Sequence, residues 1–339
     1  MDRREILTEV FRDTQAFYTE NAILAEAVRA SVRATELIGA EEYPALPAAG
    51  CGKRCEIAVT PSRTFEAAMR LRKKFPDKKI GVLNFASAMK PGGGVLRGSG
   101  AQEESLCRCS TIYPTLDRKW LWDKFYGVNR AANDPRHTDD CIYSPNVVIC
   151  KKDEAVPKRL PPEQFVTVDV ISCAAPDLRP KKRDGMFVEI DHRILDDLHK
   201  KRAEHILRIA AARGIDILVL GAFGCGVFEN DPHTVASAWF KVLEDYKKYF
   251  DRVEFAIYCR DGEEYENKYK TFQREKNFWC DDEVTIIDSG QAAREKFGEL
   301  WGGFGARLSQ EEIAALQHGE QLAIKVNDEY MLFLEGPER

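Results

Sequence analysis

The sequence lacks a hydrophobic run long enough to cross a membrane. Among its 339 residues, the longest uninterrupted stretch of apolar residues and glycine is Ile217–Phe228, which is 12 residues long. A membrane-spanning helix needs about 18 to 20. The first residues, Met1–Glu5, carry charges of both signs and are not followed by the apolar segment of a secretory signal. We therefore expect a soluble, cytoplasmic protein that does not contact membranes.

An excess of positive charge is also missing. The 50 Lys and Arg residues are outnumbered by 55 Asp and Glu residues, which gives a net charge of −5. Proteins that hold nucleic acid by its phosphates usually present a basic stripe. The basic runs Arg70–Lys79 and Lys181–Arg183 are short and have acidic residues beside them, as solvated surfaces do. An anionic ligand would therefore be held largely by backbone amides.

The ten cysteines do not have the spacing of a zinc site. Such a site needs two close cysteine pairs, or one pair followed closely by a histidine pair. His199 and His205 are six residues apart in a predicted helix, which turns them to different faces, and no cysteine pair is near them. We expect reduced thiols, mostly in the core, and neither a metal nor another cofactor.

Changes in composition divide the chain into three parts. The run Arg4–Leu37 has apolar residues at helical intervals and predicts helices that end at Gly39. Beyond about Gly290, a glycine-rich stretch precedes a pattern typical of a short helix and a β-hairpin. We predict an N-terminal helical extension (1–50), a central domain (51–290) and a small C-terminal appendix (291–339).

In the central domain, β-branched runs alternate with helical patterns. Predicted strands are Ile57–Thr60, Ile80–Phe85, Val166–Ile171, Ile215–Leu220 and Val253–Tyr258. Predicted helices begin near Ser62 and end near Phe75, or span Asp191–Arg213 and Thr234–Phe250. This alternation favours a layered α/β fold with a largely parallel or mixed sheet.

Two predicted strands are followed by glycine-rich loops, and ligands of open α/β sheets bind at the carboxyl ends of strands. The loop after Phe85 contains Gly92–Gly94 and leads to a predicted helix that starts near Ala101 with Glu103 and Glu104. Three glycines let a ligand contact the backbone, and a helix N-terminus attracts anions. The helix dipole alone also favours glutamates at this position.

The second loop, Gly221–Pro232, lies between a buried strand and a helix, the context of a phosphate-binding turn. It has neither the P-loop pattern nor the dinucleotide fingerprint. The two loops together favour a ligand that carries phosphate.

These residues resemble a known family. Gly92–Gly94, seven further residues and then Gln102, Glu103 and Glu104 are similar to the signature of poly(ADP-ribose) glycohydrolases. The loop Gly221–Pro232 resembles the diphosphate-binding loop of the bacterial-type members, and Asn84–Ala86 and Ile142–Val147 also resemble them. The resemblance covers about Glu56 to Glu275. It implies a macrodomain, a three-layer α/β/α fold that binds ADP-ribose.

The resemblance also implies a role for each matching residue. Glu104 would be the catalytic acid and base, Glu103 would bind ribose hydroxyls, and Gln102 would position both. Asn84 would contact the terminal ribose, although many macrodomains carry Asn where this chain has Ser87. The diphosphate would be cradled by Gly93, Gly94, Gly224, Cys225 and Gly226, and Phe228 would pack on the ribose. Gly92 and Val227 are the remaining implied substrate-binding residues.

The implied reaction reverses ADP-ribosylation: it hydrolyses the ribose–ribose O-glycosidic bond of poly(ADP-ribose), carried by ADP-ribosylated proteins, and releases ADP-ribose. The transition state of such a reaction resembles an oxocarbenium ion. Glu104 would protonate the leaving 2′-oxygen, which requires a raised pKa that burial and Glu103 would promote. Two alternatives are a non-catalytic ADP-ribose-binding macrodomain and a hydrolase of mono-ADP-ribosyl groups on protein or DNA. A dinucleotide-dependent oxidoreductase is disfavoured because its fingerprint is absent.

Overall fold

A computed structural model describes residues 2–47, 55–179, 181–183, 186–188, 190–259, 262, 265–280, 310–318, 321–325 and 331–335. The chain divides into two units, Met1–Asp281 and Asp282–Arg339. No helix within the described ranges is long and apolar enough to cross a membrane. The described cysteines form no disulfide bond, and most of them are buried, as predicted.

The first unit contains ten α-helices, nine strands and five short 3₁₀- or π-helical segments in its described residues. The helices are α1 (Arg3–Glu20), α2 (Ala22–Ala34), α3 (Thr64–Lys74), α4 (Gln102–Cys109), α5 (Tyr113–Leu116), α6 (Lys119–Leu121), α7 (Gly127–Ala132), α8 (His192–Ala212), α9 (Pro232–Tyr246) and α10 (Thr271–Cys280). The strands are β1 (Glu36–Ile38), β2 (Glu56–Thr60), β3 (Ile80–Phe85), β4 (Cys141–Ile149), β5 (Val166–Cys173), β6 (Lys181–Arg183), β7 (Met186–Val188), β8 (Ile217–Leu220) and β9 (Arg252–Ala256).

Seven of these strands form one mixed sheet in the order β1-β4-β5-β3-β8-β9-β2. The strands from β5 to β2 are parallel to one another, whereas β4 and β1 are antiparallel additions at one side. Strands β3 and β8 therefore lie side by side near the centre, and their carboxyl ends meet at one edge of the sheet. The two glycine-rich loops begin at this edge.

Two apolar cores cover the two faces of the sheet. Leu83 of β3 packs in the core that contains Trp239 of α9, whereas the neighbouring Val82 packs in the core that contains Phe65 of α3. Alternate residues of a strand point to opposite faces, so a strand buried on both sides is apolar throughout. The predicted α/β/α layering is confirmed.

The N-terminal helices pack on the same body through buried polar contacts as well as apolar ones. Phe11 of α1 lies in one of the two cores, and the Thr14 hydroxyl donates to the carbonyl oxygen of Arg108 at 2.6 Å. The fully buried Lys151 donates to the carbonyl oxygen of Val10 at 2.9 Å and pairs with Asp13 at 2.7 Å. A buried ammonium group must be paired, so these contacts hold α1 in a single position.

The predicted helical run Arg4–Leu37 is wrong at its end. Helix α2 stops at Ala34, and Glu36–Ile38 form a strand that pairs with β4. Thr35 adopts an extended backbone and its hydroxyl donates to the carbonyl oxygen of Ser31, which satisfies an acceptor at the helix end. The run is also broken at Asn21, whose side chain caps the first turn of α2.

The second unit, described by itself, contains a helix, α11 (Gln310–Gln317), and two antiparallel strands, β10 (Gln321–Lys325) and β11 (Met331–Glu335). The residues predicted to form the hairpin turn lie outside the described residues.

Candidate active site

Gln102 joins the start of α4 to the end of β3. Its side-chain oxygen accepts the N–H of Phe85 at 2.9 Å, and its amide nitrogen donates to the carbonyl oxygen of Leu83 at 2.8 Å and to the Thr64 hydroxyl at 3.1 Å. All the hydrogen-bonding groups of the side chain are thus used near one strand end. This fixes the helix that carries the next two residues, Glu103 and Glu104.

Glu103 is a buried carboxyl group, with 3% of the residue exposed. Its Oε2 accepts the N–H of Ser87 at 2.8 Å, so Ser87 contributes through its backbone. Its Oε1 is buried and has no hydrogen-bond partner in the described part of the chain, and the same holds for Oδ1 of the neighbouring Asn84. Burial raises the pKa of Glu103 to about 8, and the negative charge of Glu104 adds to this effect.

Glu104 lies against the backbone of the glycine loop. Its Oε1 accepts the N–H of Gly94 at 2.7 Å. Gly93 has a φ of +54°, and a Cβ on it would be only 2.6 Å from Oε1 of Glu104 and 3.0 Å from Oε2 of Glu103. Any side chain at Gly93 would therefore displace both carboxyl groups, so both the backbone angle and the space require glycine.

The second glycine loop is held in place by Asn230. Its side-chain amide donates to the carbonyl oxygens of Pro176 at 2.7 Å and Gly224 at 3.2 Å, and its oxygen contacts Nε2 of His199 at 2.9 Å. Burial lowers the pKa of His199 to about 4, so this ring is neutral. A Cβ on Gly224 would be 2.6 Å from the Asn230 amide, whereas no atom of the described residues lies within 4 Å of a Cβ on Gly226. The loop is thus packed at Gly224 and open at Gly226.

Phe228 is half-buried between two side chains from other parts of the chain. The ring of His137 lies 5.9 Å from its centroid, and the guanidinium of Arg179, which pairs with Asp177, lies 5.2 Å from it. His137 has a φ of +58°, a backbone angle that non-glycine residues rarely adopt. The ring of Phe228 therefore has a defined orientation at the cavity wall.

The two loops and α4 enclose a cavity of about 800 Å³. All the predicted site residues line it except Asn84 and Gly92, which are buried behind its wall. Burial raises the pKa of the Cys225 thiol well above its usual range, so this residue remains a neutral thiol. A cavity of this volume, with polar groups that converge on it, is typical of a binding site for a small-molecule ligand.

The sequence predicts an adenine contact only in the region Thr60–Thr64, and the lining residues Tyr258 and Asp153 were not predicted. The guanidinium of Arg63 lies 3.8 Å from the ring centroid of Tyr258, at the ends of β2 and β9, and Thr64 is nearby. Arg63 and Thr64 belong to the predicted helix start, but their approach to Tyr258 depends on strands far apart in sequence. Asp153, buried beside them, accepts the Ser105 hydroxyl at 2.8 Å.

Comparisons with known proteins agree on one family. Residues 10–152 match the family model of the microbial-type PARG catalytic domain. The structure is similar to the poly(ADP-ribose) glycohydrolase of Thermomonospora curvata, with 29% identity, a TM-score of 0.69, and coverage of 80% of this chain and all of that one. The same enzyme bound to the inhibitor ADP-HPD is 30% identical, with a TM-score of 0.67 and coverage of 80% and 99%.

The poly(ADP-ribose) glycohydrolase of Deinococcus radiodurans in complex with ADP-ribose is 34% identical, with a TM-score of 0.64 and coverage of 75% of this chain and 98% of that one. No curated protein sequence matches significantly.

Proposed function

This chain belongs to the microbial-type poly(ADP-ribose) glycohydrolases, and from that premise we propose that Glu104 is the acid and base with which it cleaves the polymer. The chain is a glycosidase that hydrolyses the ribose–ribose bond of poly(ADP-ribose). The observation that carries the assignment is the contact between Glu104 and the glycine loop: Gly94 holds one carboxyl oxygen at 2.7 Å, and the residue lines the cavity.

The second oxygen of Glu104 is the group that reaches the substrate. It makes no hydrogen bond with any described residue, and Glu104 is 7% exposed at the cavity wall. As an acid, this group protonates the leaving 2′-oxygen while the C1″–O bond breaks. The resulting carboxylate then takes a proton from the attacking water, which returns the enzyme to its starting state.

Glu103 binds the ribose hydroxyls and stays protonated at neutral pH. Its raised pKa supports this, and so do the two buried oxygens, Glu103 Oε1 and Asn84 Oδ1, that have no donor among the described residues. A proton on the carboxyl group can be shared with the Asn84 oxygen, which supplies the missing donor. Asn84 thus acts on the ribose through Glu103.

The backbone of both glycine loops is the proposed cradle of the diphosphate. Gly93, Gly94 and Gly224–Gly226 line the same cavity, and the open space beside Gly226 leaves room for phosphate against its amide. Gly92 supports this cradle from behind with its φ of +62°. Phe228 orients the terminal ribose, and the neighbouring Val227 covers it. We assign Thr64 and Arg63, which line the same cavity, to the adenine end of the ligand. The proposed targets are ADP-ribosylated proteins of the cytoplasm.

The test is Glu104→Gln, which preserves shape but cannot transfer a proton. We expect release of ADP-ribose from purified polymer to fall about 10²- to 10⁴-fold. The affinity for free ADP-ribose, measured by calorimetry, should persist, because backbone amides and Glu103 hold the ligand. Glu163→Gln, at an exposed residue that does not line the cavity, is the matched control.

Polymer hydrolysis by Glu104→Gln at a near wild-type rate would contradict the assignment of the acid. Wild-type enzyme that cleaves only mono-ADP-ribosylated protein or DNA would contradict the choice of substrate. Wild-type enzyme that binds ADP-ribose but cleaves none of these substrates would mean that the chain is a non-catalytic binding macrodomain.

A further inference from the structure

Two arginines on one wall of the cavity have no carboxylate partner among the described residues. Arg3, at the start of α1, and Arg97, three residues after Gly94, are both exposed and both line the cavity. Neither guanidinium forms an ion pair or a hydrogen bond with any residue that the structure describes. In a chain with a net charge of −5, two unpaired cations at the active-site cavity call for an anionic ligand.

Hydrogen bonds fix the backbone of the loop that carries Arg97. Residues Val95–Arg97 form a tight turn, after which the N–H of Ser99 donates to the carbonyl oxygen of Gly94 at 3.2 Å. The buried Arg108, one helical turn after Glu104, donates from Nη1 to the carbonyl oxygen of Ser99 at 2.7 Å. The loop that carries Arg97 is therefore attached to the helix that carries the acid.

Helix α1 packs directly on this loop. Gly98 has a φ of +69°, and a side chain on it would collide with the backbone carbonyl group of Arg4. The close approach places Arg3 and Arg97 on adjoining elements of the same wall. This wall differs from the loop Gly224–Gly226, which is the proposed site of the terminal diphosphate.

The reaction provides a second diphosphate near this wall. When Glu104 protonates the leaving oxygen, that oxygen is the 2′-oxygen of the penultimate adenosine. The 5′ carbon of the same ribose carries the diphosphate of the penultimate unit. Gly94 contacts Glu104, and Arg97 follows Gly94 by a single tight turn and lines the same cavity, so Arg97 is close in sequence to the backbone that holds the acid.

We propose that Arg3 and Arg97 form a subsite for the diphosphate of the penultimate ADP-ribose unit, and that this subsite favours the polymer over a single ADP-ribosyl group. The proposal rests on the proposed function. Guanidinium groups bind phosphate oxygens through two parallel hydrogen bonds, which suits a diphosphate better than a lysine would.

The experiment compares two substrates that share the terminal unit. One is purified poly(ADP-ribose), and the other is ADP-ribose whose 1″ carbon carries an uncharged phenol as leaving group. Arg3→Ala and Arg97→Ala should each raise KM for polymer about three- to fivefold, the range expected of exposed charge pairs, and the double variant about tenfold or more. The KM for the phenol substrate and the Kd for ADP-ribose should not change, and the salt dependence of KM for polymer should weaken.

Lys124→Ala, which removes an exposed cation outside the cavity, is the control for net charge. Polymer KM unchanged in the double variant would overturn the subsite, as would an equal rise for the phenol substrate, which would place the arginines at the terminal unit. Failure of the proposed function is separate, because it would appear as wild-type enzyme that does not cleave polymer or as Glu104→Gln with full activity.

Discussion

Replacing Glu103 with glutamine should stabilise the fold at neutral pH while impairing the site. Burial raises the pKa of Glu103 from its ordinary value of 4.5 to about 8. Between these values the folded protein retains a proton that the unfolded chain has lost. Because the native state then binds more protons, the free energy of unfolding falls as pH rises, by about 1.4 kcal/mol per pH unit.

The magnitude follows from the width of this window. A pH of 7 is about 2.5 units above the pKa of Glu103 in the unfolded chain. Ionisation of Glu103 in the unfolded state therefore lowers the free energy of unfolding by about 3 kcal/mol at this pH. Glutamine has no such titration, occupies nearly the same volume, and retains an oxygen that can accept the Ser87 N–H. Below pH 4.5 both states hold the proton and this difference vanishes.

Urea unfolding of wild type and Glu103→Gln at pH 5 and pH 7 measures the effect. We expect the stability of the variant relative to wild type to increase by about 2 to 3 kcal/mol between the two pH values, since the other titrating groups are common to both proteins. Glu163→Gln, which replaces an exposed carboxyl group, should show no such change. A difference between wild type and Glu103→Gln that does not vary with pH would mean that folded Glu103 is already ionised at pH 5, and the reasoning would be wrong.

Four further variants test the two glycine loops and Phe228. Gly93→Ala should lower polymer turnover about 10²-fold, because its Cβ would push the Glu104 carboxyl group out of place; unchanged turnover would contradict the placement of the acid. Gly226→Val should fold normally, but calorimetry should show ADP-ribose binding that is weaker by at least about tenfold. Gly224→Ala should lower the melting temperature, because Gly224 has a φ of +78° and no space for a Cβ. Phe228→Ala should lower kcat far more than melting temperature; a large loss of stability with normal activity of the folded fraction would make this residue part of the core.

The fold could be predicted wherever a strand is buried on both faces, because its sequence is then continuously apolar. Strands β3, β5 and β8 were found in this way. Strand β4 was missed because Pro145 interrupts it, and the structure accommodates the proline with a shift of register between Ser144 and Val147. Proline reads as a break in any local pattern, and only the pairing with β5 shows that the strand continues.

The site could be predicted as far as its residues are neighbours in sequence. Gln102, Glu103 and Glu104 are consecutive, and the glycines they contact precede them by a short loop. The contacts of Phe228 with His137 and Arg179 were not predictable, because they bring together three segments separated by tens of residues. No local pattern contains such pairs, and they depend on the strand order of the sheet.

The charge of the site explains how an acidic enzyme with two glutamates can bind a polyanion. A carboxylate 4 Å from a phosphate at an effective dielectric constant of 20 would repel it by about 4 kcal/mol. Because its raised pKa keeps Glu103 uncharged at neutral pH, this group does not repel the phosphates, and the amides of the glycine loops supply partial positive charge without a counter-ion. Burial of Glu103 thus lowers the free energy of unfolding by the roughly 3 kcal/mol derived above. In return, the site is less negative than it would be with both glutamates ionised. In the proposed subsite, Arg3 and Arg97 would then bind the polymer beyond the unit that is cleaved.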